Sequence, residues 1–374
     1  MGLFSSPKNY LGVDFGSSSI KVVELANTGG RPKLVTYGFT EKNPANISDT
    51  GLIENVDEAA AVLAEICKKA KVASKKAITA LPNYAVFTSV LTLPDMPKKE
   101  LAAAIAWEAK KIIPASLEEV VLDWKIIEEI GEMTEEEEKK AQDILKDTQK
   151  NLNLKRIYSK AKKNVRILLT GAGKNVIKRY IDIFAKAGMG LLSLETESFA
   201  LARSLVGNDK SIIMLIDLGA TTSSISIIEK GVPVVTRSLK SGGNLITRSI
   251  SANMNITMDK AEQFKQDLAL DLETSESVLP STVEKSFEPI LNEIKFTLDF
   301  FQKSYNKKIE KIILTGGTAF LGHLTGYLSR VLSINTYIGD PWARTIYPTD
   351  LKPILDRLGA RFAVAVGLAM RDIE

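Results

Sequence analysis

Two stretches 203 positions apart repeat one pattern of apolar and polar positions. Residues 11–25 read LGVDFGSSSIKVVEL and residues 215–229 read LIDLGATTSSISIIE, so that Asp14 falls on Asp217, Gly16 on Gly219, Ser18 on Thr221 and Ser19 on Thr222. Each copy is an apolar strand ending in Asp-x-Gly, a turn of small hydroxyl residues, and a second, alternating strand. A duplicated hairpin predicts two lobes built alike.

After the first hairpin the pattern predicts a strand at 33–39 and a helix at 57–70. A strand pair at 77–80 and 85–91 leads to a helix between Pro97 and Pro114, with Leu101, Ala104, Ile105, Glu108 and Ile112 on one face. Strand 120–127 follows. Residues 131–163, with the run Glu135–Glu138 and many lysines, read as an exposed helix or a mobile insertion. Strands at 165–170 and 191–194 then alternate with helices at 175–187 and 198–205. Beyond the Gly207-Asn208-Asp209 turn the duplicate hairpin is followed by a strand at 232–238, helices near 243–253, 258–269 and 280–305, and a strand at 311–314. A helix at 319–332, a strand at 335–338 and a final helix at 361–371 complete the chain. The alternation predicts an α/β fold.

Composition changes this picture little. At 374 residues the chain is long enough for two cores, and 45% hydrophobic with 25% charged residues is ordinary for a globular protein. A formal charge of +4 from 49 basic and 45 acidic side chains gives no reason to expect a nucleic-acid partner. The one cysteine, Cys67, sits in an apolar-periodic stretch and reads as a core residue, and the one histidine, His323, has no companions with which to bind zinc. No stretch is long and apolar enough to span a bilayer, which makes the expected location cytoplasmic.

The chemistry lies in the turns. A tight turn with Gly lets backbone N–H groups approach phosphate oxygens, and Ser or Thr hydroxyls add donors. Gly16, Ser17, Ser18 and Ser19 form one such turn; Gly219, Ala220, Thr221 and Thr222 form the other. Asp14 and Asp217, at the strand ends, are placed to hold a hydrated Mg²⁺. Lys21 corresponds to Ser224 in the second copy, which supplies a cation on one side only. Either hairpin alone would be an ordinary polar turn; the matched pair points to ATP. A third signal is the strand Ile312-Ile313-Leu314 running into Thr315-Gly316-Gly317-Thr318, where backbone can approach a flat ligand. Gly171-Ala172-Gly173-Lys174 has neither the spacing nor the following hydroxyl of a P-loop. Trp107, amid alanines, reads as helix packing, with partner docking as the other possibility.

This order of motifs resembles the actin, sugar kinase and heat-shock chaperone ATPase superfamily. Asp14 through Lys21 look like its first phosphate motif, Asp217 through Thr222 its second, and Gly316, Gly317 and Thr318 its adenosine motif. Glu195-Thr196-Glu197-Ser198-Phe199-Ala200 and 361–371, with small residues Ala363, Ala365 and Gly367, are similar to its two connecting helices. Within the superfamily the chain is most similar to the PilM family, related to FtsA. The segments carrying this are Leu93-Pro94-Asp95-Met96-Pro97, Ile105-Ala106-Trp107-Glu108-Ala109, Ile113-Pro114, Val121-Leu122-Asp123, Glu195–Leu201 and Phe362–Ala369.

The resemblance implies an actin-like fold with a central nucleotide cleft. The first lobe would take residues 1–206, with its core at 1–83 and 191–206 joined by the C-terminal helix 360–374 and a subdomain inserted at about 84–190; the second lobe would take 207–359. It implies that Glu262 and Lys265 bracket the nucleoside, and that Glu195 orients an attacking water, with Glu197 as the alternative. Any hydrolysis would be slow and Mg-dependent. The implied partners are the N-terminal cytoplasmic peptide of PilN, a bitopic inner-membrane protein, and other components of the type IV pilus platform that serves twitching motility. Membrane contact would then be indirect. Two other readings stand beside this one. A small-molecule kinase would need an acceptor pocket that no motif supplies, and an FtsA-like filament protein would end in an amphipathic tail, where this chain ends Met370-Arg371-Asp372-Ile373-Glu374.

Overall fold

The computed structural model describes residues 8–41, 52–113, 115–132, 163–267 and 279–373. Most of the charged run 131–163, together with Pro114, lies outside the described residues. The chain folds as two compact units, Ala85–Ile177 and the remainder, Met1–Tyr84 with Lys178–Glu374. The inserted unit is therefore shorter than the expected 84–190, because most of the helix Lys174–Lys186 belongs with the larger unit.

The larger unit contains the duplication in full. Strands β1 (Asn9–Phe15), β2 (Ser19–Thr28) and β3 (Arg31–Glu41) form an antiparallel meander, extended from β1 by parallel β4 (Lys76–Leu81) and β8 (Gly190–Thr196) in the order β3-β2-β1-β4-β8. The second lobe repeats this order with β9 (Ile213–Leu218), β10 (Ser223–Glu229), β11 (Val232–Leu239), β12 (Lys311–Thr315) and β13 (Thr336–Ile338), as β11-β10-β9-β12-β13. β1 and β9 are central and buried on both faces, so they read as apolar runs until the Asp near each end.

Helices cover both sheets. Helix α1 (Val56–Lys69) starts where Asn55 accepts a hydrogen bond from the Glu58 N–H, with acids in its first turn and Lys68 and Lys69 in its last, matching the helix dipole. In α3 (Lys174–Lys186), Tyr180 and Phe184 pack edge-on against Phe15. Cys67 is half-buried beside Met189, and burial pushes its thiol up to about 11, as suits a packing residue. In the second lobe α7 (Ser281–Tyr305) lies against β10 and β11, and α5 (Gly243–Met254) packs on both α7 and α6 (Met258–Asp267).

Two helices bind the lobes together. One is α4 (Glu197–Leu201), prolonged as a wider turn through Val206; the other is α9 (Lys352–Met370), buried all round from Phe362 to Met370. They meet at Gly367, where a Cβ would lie 1.9 Å from the carbonyl oxygen of Ala200. Strand β1 crosses α9 just as closely, since a Cβ on Gly12 would come within 2.1 Å of the Ala365 carbonyl oxygen. Ala200, Leu201, Ala363, Val364 and Leu368 join Ile78 from the first sheet and Ile213 and Leu215 from the second in one core cluster.

The smaller unit is an antiparallel sheet in the order β5-β7-β6, from β5 (Val86–Pro94), β6 (Val120–Glu132) and β7 (Lys163–Gly173). Helix α2 (Lys98–Ile112) packs Leu101, Ala104, Ile105 and Ala109 on Leu93, Val165, Ile167 and Leu169. Trp107 is not part of that core. It stands 38% exposed with Lys111 over its ring, so packing does not explain it.

Three elements depart from expectation. The strands at 77–80 and 85–91 do not pair: β4 lies in the first-lobe sheet and β5 in the smaller unit, because Pro82-Asn83-Tyr84 has no hairpin-turn chemistry. The helix expected at 319–332 is a 3-10 turn (Gly317–Phe320) followed by α8 (Leu324–Leu332), broken where His323 takes φ 61°. Helix α9 begins at Lys352, well before 361, because Pro353 is tolerated in its first turn and Gly359 leaves room for Trp342, whose indole Nε1–H donates to the Leu355 carbonyl.

The crossing yields a prediction. Gly367→Ala forces α9 off α4 and is expected to cost about 1–3 kcal/mol of stability, as overpacking does. Alanine at Gly190 is the control, since a Cβ there meets nothing nearer than the flexible Lys76 side chain at 3.4 Å. Thermal melts should show a clear fall in Tm for the Gly367 variant alone.

Candidate functional site

Because β1 and β9 occupy equivalent places, their ends bring both hairpin turns to the wall of one cavity of about 770 Å³. Asp14, Gly16, Ser17, Ser18, Ser19 and Lys21 line it from the first lobe; Asp217, Gly219, Thr221 and Thr222 line it from the second. Glu262, Lys265, Gly316, Gly317 and Thr318 line it as well. Thus every residue that the sequence assigned to nucleotide or metal borders this cavity, and Glu195, assigned to orient a water, does not. The volume suits a drug-sized or nucleotide-sized ligand.

Each turn is closed by one backbone hydrogen bond, Gly16 N–H to Ser19 O at 2.9 Å and Gly219 N–H to Thr222 O at 3.0 Å. A Cβ at Gly219 would meet that Thr222 oxygen at 2.7 Å, so a larger residue would pry the second turn open. At the third motif Gly316 has φ 86°, a conformation that favours glycine, and its α-carbon faces Asp217, whose Oδ1 would be 2.5 Å from a Cβ. Gly317 has nothing within 4 Å of a Cβ, leaving bare backbone toward the cavity.

Two carboxylates and one ammonium dominate the electrostatics. Lys21 Nζ donates to Asp14 Oδ2 at 2.9 Å, and both side chains are nearly buried. Asp217 has no such partner among the described residues: burial, then the nearby Asp14 charge, push its carboxyl up to about 6 against the pull of Lys21. Glu197 is raised further, to about 8, by burial first and then by Asp217 and Asp14, although the Asn83 N–H donates to it at 2.9 Å. A site with three crowded acids and one lysine favours an added cation. Among the described residues no three Asp, Glu, His or Cys side chains gather closely enough to cage an ion directly. Asp14 and Asp217 therefore suit a metal held through water and phosphate.

Other atoms suit an anion. The hydroxyl oxygens of Thr221 and Ser238 are buried with no partner among the described residues, and both residues line the cavity. Orphaned buried donors of this kind need a ligand or water to complete them. Lys265 Nζ donates to the Gly243 carbonyl at 3.3 Å, Thr247 Oγ1 at 2.8 Å and Glu262 Oε2 at 2.7 Å. Burial raises the Glu262 carboxyl, but the Lys265 charge and hydrogen bonds from Lys265, Thr247 and Gln266 outweigh it and hold the group below its usual value. This pair is built into the wall and is more than a solvated surface pair.

Glu195 needs correction. Arg203 grips both its oxygens, at 2.7 and 2.9 Å, while also donating to the Gly367 carbonyl at 2.6 Å. Its charge braces the helix crossing, and it does not line the cavity. Glu197, two residues on and at the first turn of α4, does. Asn83 and Ser238 were missed. Their signals are faint: an Asn after Leu81-Pro82, where the first-lobe strand must end, and a Ser near the polar end of its strand, opposite Ser224.

Comparison with known proteins fits this geometry. A family model described as type IV pilus assembly protein PilM matches residues 12–152 and 148–373. The chain belongs to the PilM family. It is similar, at 24% identity with 98% of both chains covered and a TM-score of 0.75, to a solved structure titled PilM-PilN type IV pilus biogenesis complex. The ethanolamine utilization protein EutJ of Carboxydothermus hydrogenoformans shares the fold at 16% identity, covering 98% of this chain and 90% of that one, with a TM-score of 0.56. Cell division protein FtsA of Neisseria meningitidis serogroup B (strain ATCC BAA-335 / MC58) is 20% identical over 254 residues, 61% of this chain. The match spans 59% of that relative's length. The fold is actin-like. Among the described residues no helix is long and apolar enough to cross a membrane.

The raised acids predict a pH dependence. Folded Glu197 and Asp217 keep protons that the unfolded chain has already released, so raising pH strips them at the folded state's expense. Without ligand, the stability contributed by these two groups should therefore be fullest below about pH 4 and be lost as pH rises through about 6 and about 8. Glu197→Gln should flatten the upper part of that fall in melts recorded across the range.

Proposed function

We propose that this chain binds Mg·ATP in the cavity between its lobes and docks the N-terminal cytoplasmic peptide of PilN, linking nucleotide state to the inner-membrane assembly complex of the type IV pilus. The observation that carries the nucleotide reading is the convergence of two duplicated turns, two orphaned buried hydroxyls and crowded carboxylates on one cavity. Ser17, Ser18, Ser19, Thr221, Thr222 and Ser238 are the donors for phosphate oxygens, and Lys21 supplies the cation. Asp14 and Asp217 hold the hydrated Mg²⁺. The nucleoside lies against Gly316, Gly317 and Thr318, with Glu262 and Lys265 beside it.

Bound Mg²⁺ neutralises phosphate charge. What this chain adds is preformed donors on two lobes, so that ligand binding fixes their relative angle. Hydrolysis, if any, is slow, and Glu197 is the carboxylate placed to orient a water. The PilN reading rests on family membership and on likeness to the structure titled as the PilM-PilN complex. In this reading the protein sits on the cytoplasmic side, held to the membrane through its partner.

Two measurements test these readings. Asp14→Ala and Asp217→Ala should weaken Mg·ATP binding much more than binding of metal-free ATP, and Lys21→Ala should cost about 1.5–3 kcal/mol of binding; isothermal titration that returns parental affinities would refute the cavity assignment. Separately, a synthetic peptide of the PilN N-terminus should bind the full chain. Absence of binding both with and without ATP would refute the docking role.

A further inference from the structure

Asn83 is a buried amide in the cavity wall, 6% exposed, whose side chain bridges the two lobes by hydrogen bonds. Its orientation is fixed by chemistry. The Ser198 backbone N–H, which can only donate, points to one side of the amide at 3.3 Å, so that side must be Oδ1. The Ser198 hydroxyl donates to the same oxygen at 2.8 Å. Nδ2 therefore faces the second lobe, where it donates to Ser224 Oγ at 3.0 Å. The backbone N–H of the same residue holds Glu197 Oε2.

One residue thus ties together three things: the cleft carboxylate of Glu197, the start of the connecting helix α4, and strand β10 opposite Asp217, with which Ser224 is in register. Behind it the contact between α4 and the second sheet is also polar, with Ser198 Oγ 2.8 Å from Ser226 Oγ and Ser226 Oγ 3.3 Å from Thr236 Oγ1. A seam of hydroxyls can exchange partners as two bodies turn, which an interlocked apolar seam cannot do without opening voids.

We propose that Asn83 is a positioning residue: through Ser224 it sets the distance between Glu197 and the second-lobe turn, and thereby favours a nucleoside triphosphate over a diphosphate. This rests on the nucleotide reading. Asp14, Asp217 and Glu197 form one mutually interacting group, while Glu262 and Lys265 cluster with Gly243 and Thr247. A nucleotide with its nucleoside at the second group sends its terminal phosphate toward the first, where Asn83 and Ser224 stand.

The test measures Mg·ATP and Mg·ADP affinities of the full chain by isothermal titration for the parent, Ser224→Ala, Asn83→Ala and the double variant. Loss of one hydrogen bond should lower the ATP-over-ADP affinity ratio about three- to tenfold in each single variant. The double variant should lose no more of the ratio than Asn83→Ala alone, because the Asn83–Ser224 link is already absent there. A merely structural role would lower Tm, or both affinities together, and leave the ratio unmoved. Ser224→Ala decides the matter even if Asn83→Ala does not fold. A Ser224→Ala protein that keeps the parental ratio, losses that add in the double variant, or a parent that binds the two nucleotides equally well overturns the proposal. A parent that binds neither nucleotide defeats the nucleotide reading itself, and this inference with it.

Discussion

The backbone of helix α9 rests directly on the backbone of helix α4 at Gly367 and Ala200, and the rest of the larger unit follows from that contact. With a Cβ there, the helices could not approach, and the apolar side chains they share with both sheets would lose their packing. Gly12 repeats the constraint between β1 and α9. Two close crossings at one centre leave the backbones there little room to separate or slide. The bidentate Arg203–Glu195 pair, with its third hydrogen bond to Gly367 O, locks the same point electrostatically. Charge placed there serves geometry.

The opposite arrangement holds at the cavity. Asp14 is neutralised by Lys21, but among the described residues Asp217 and Glu197 face the same space without a counter-ion of their own, and both carboxyls are held well above their ordinary range. Burying acids near one another weakens a fold, and a protein retains such a cluster where a ligand offsets it. The orphaned Thr221 and Ser238 hydroxyls are a second unmet need in the same wall, for acceptors rather than cations. A metal-bound phosphate chain would answer both. That complementarity makes Mg·ATP a better reading of this cavity than a neutral metabolite.

The PilM family model is described as a type IV pilus assembly protein, and in the function proposed above a nucleotide can act by fixing a shape as well as by being hydrolysed. The first role suits the molecule well. Its polar side chains are distributed over two lobes, the lobes meet at a backbone crossing, and the seam beside Glu197 is made of amide and hydroxyl groups.

The two-lobe α/β architecture, the paired turns and the third glycine motif were all legible in the order of residues. These are local features: an apolar run ending in Asp-x-Gly folds into the same hairpin at both places, and its repetition after 203 positions states the symmetry of the whole. Small residues at 363, 365 and 367 likewise matched the second connecting helix of the superfamily, and Gly367 makes the close crossing with Ala200. Direction and neighbourhood, by contrast, were settled by long-range packing. Glu195 and Glu197 lie two residues apart in one motif, yet one turns to Arg203 and the other to the cavity, because a strand ends and a helix begins between them. Strands β4 and β5 look like a hairpin in one dimension but join different sheets. Asn83 has no pattern of its own; its role exists only because a residue 141 positions away, Ser224, is brought within hydrogen-bonding distance of its amide.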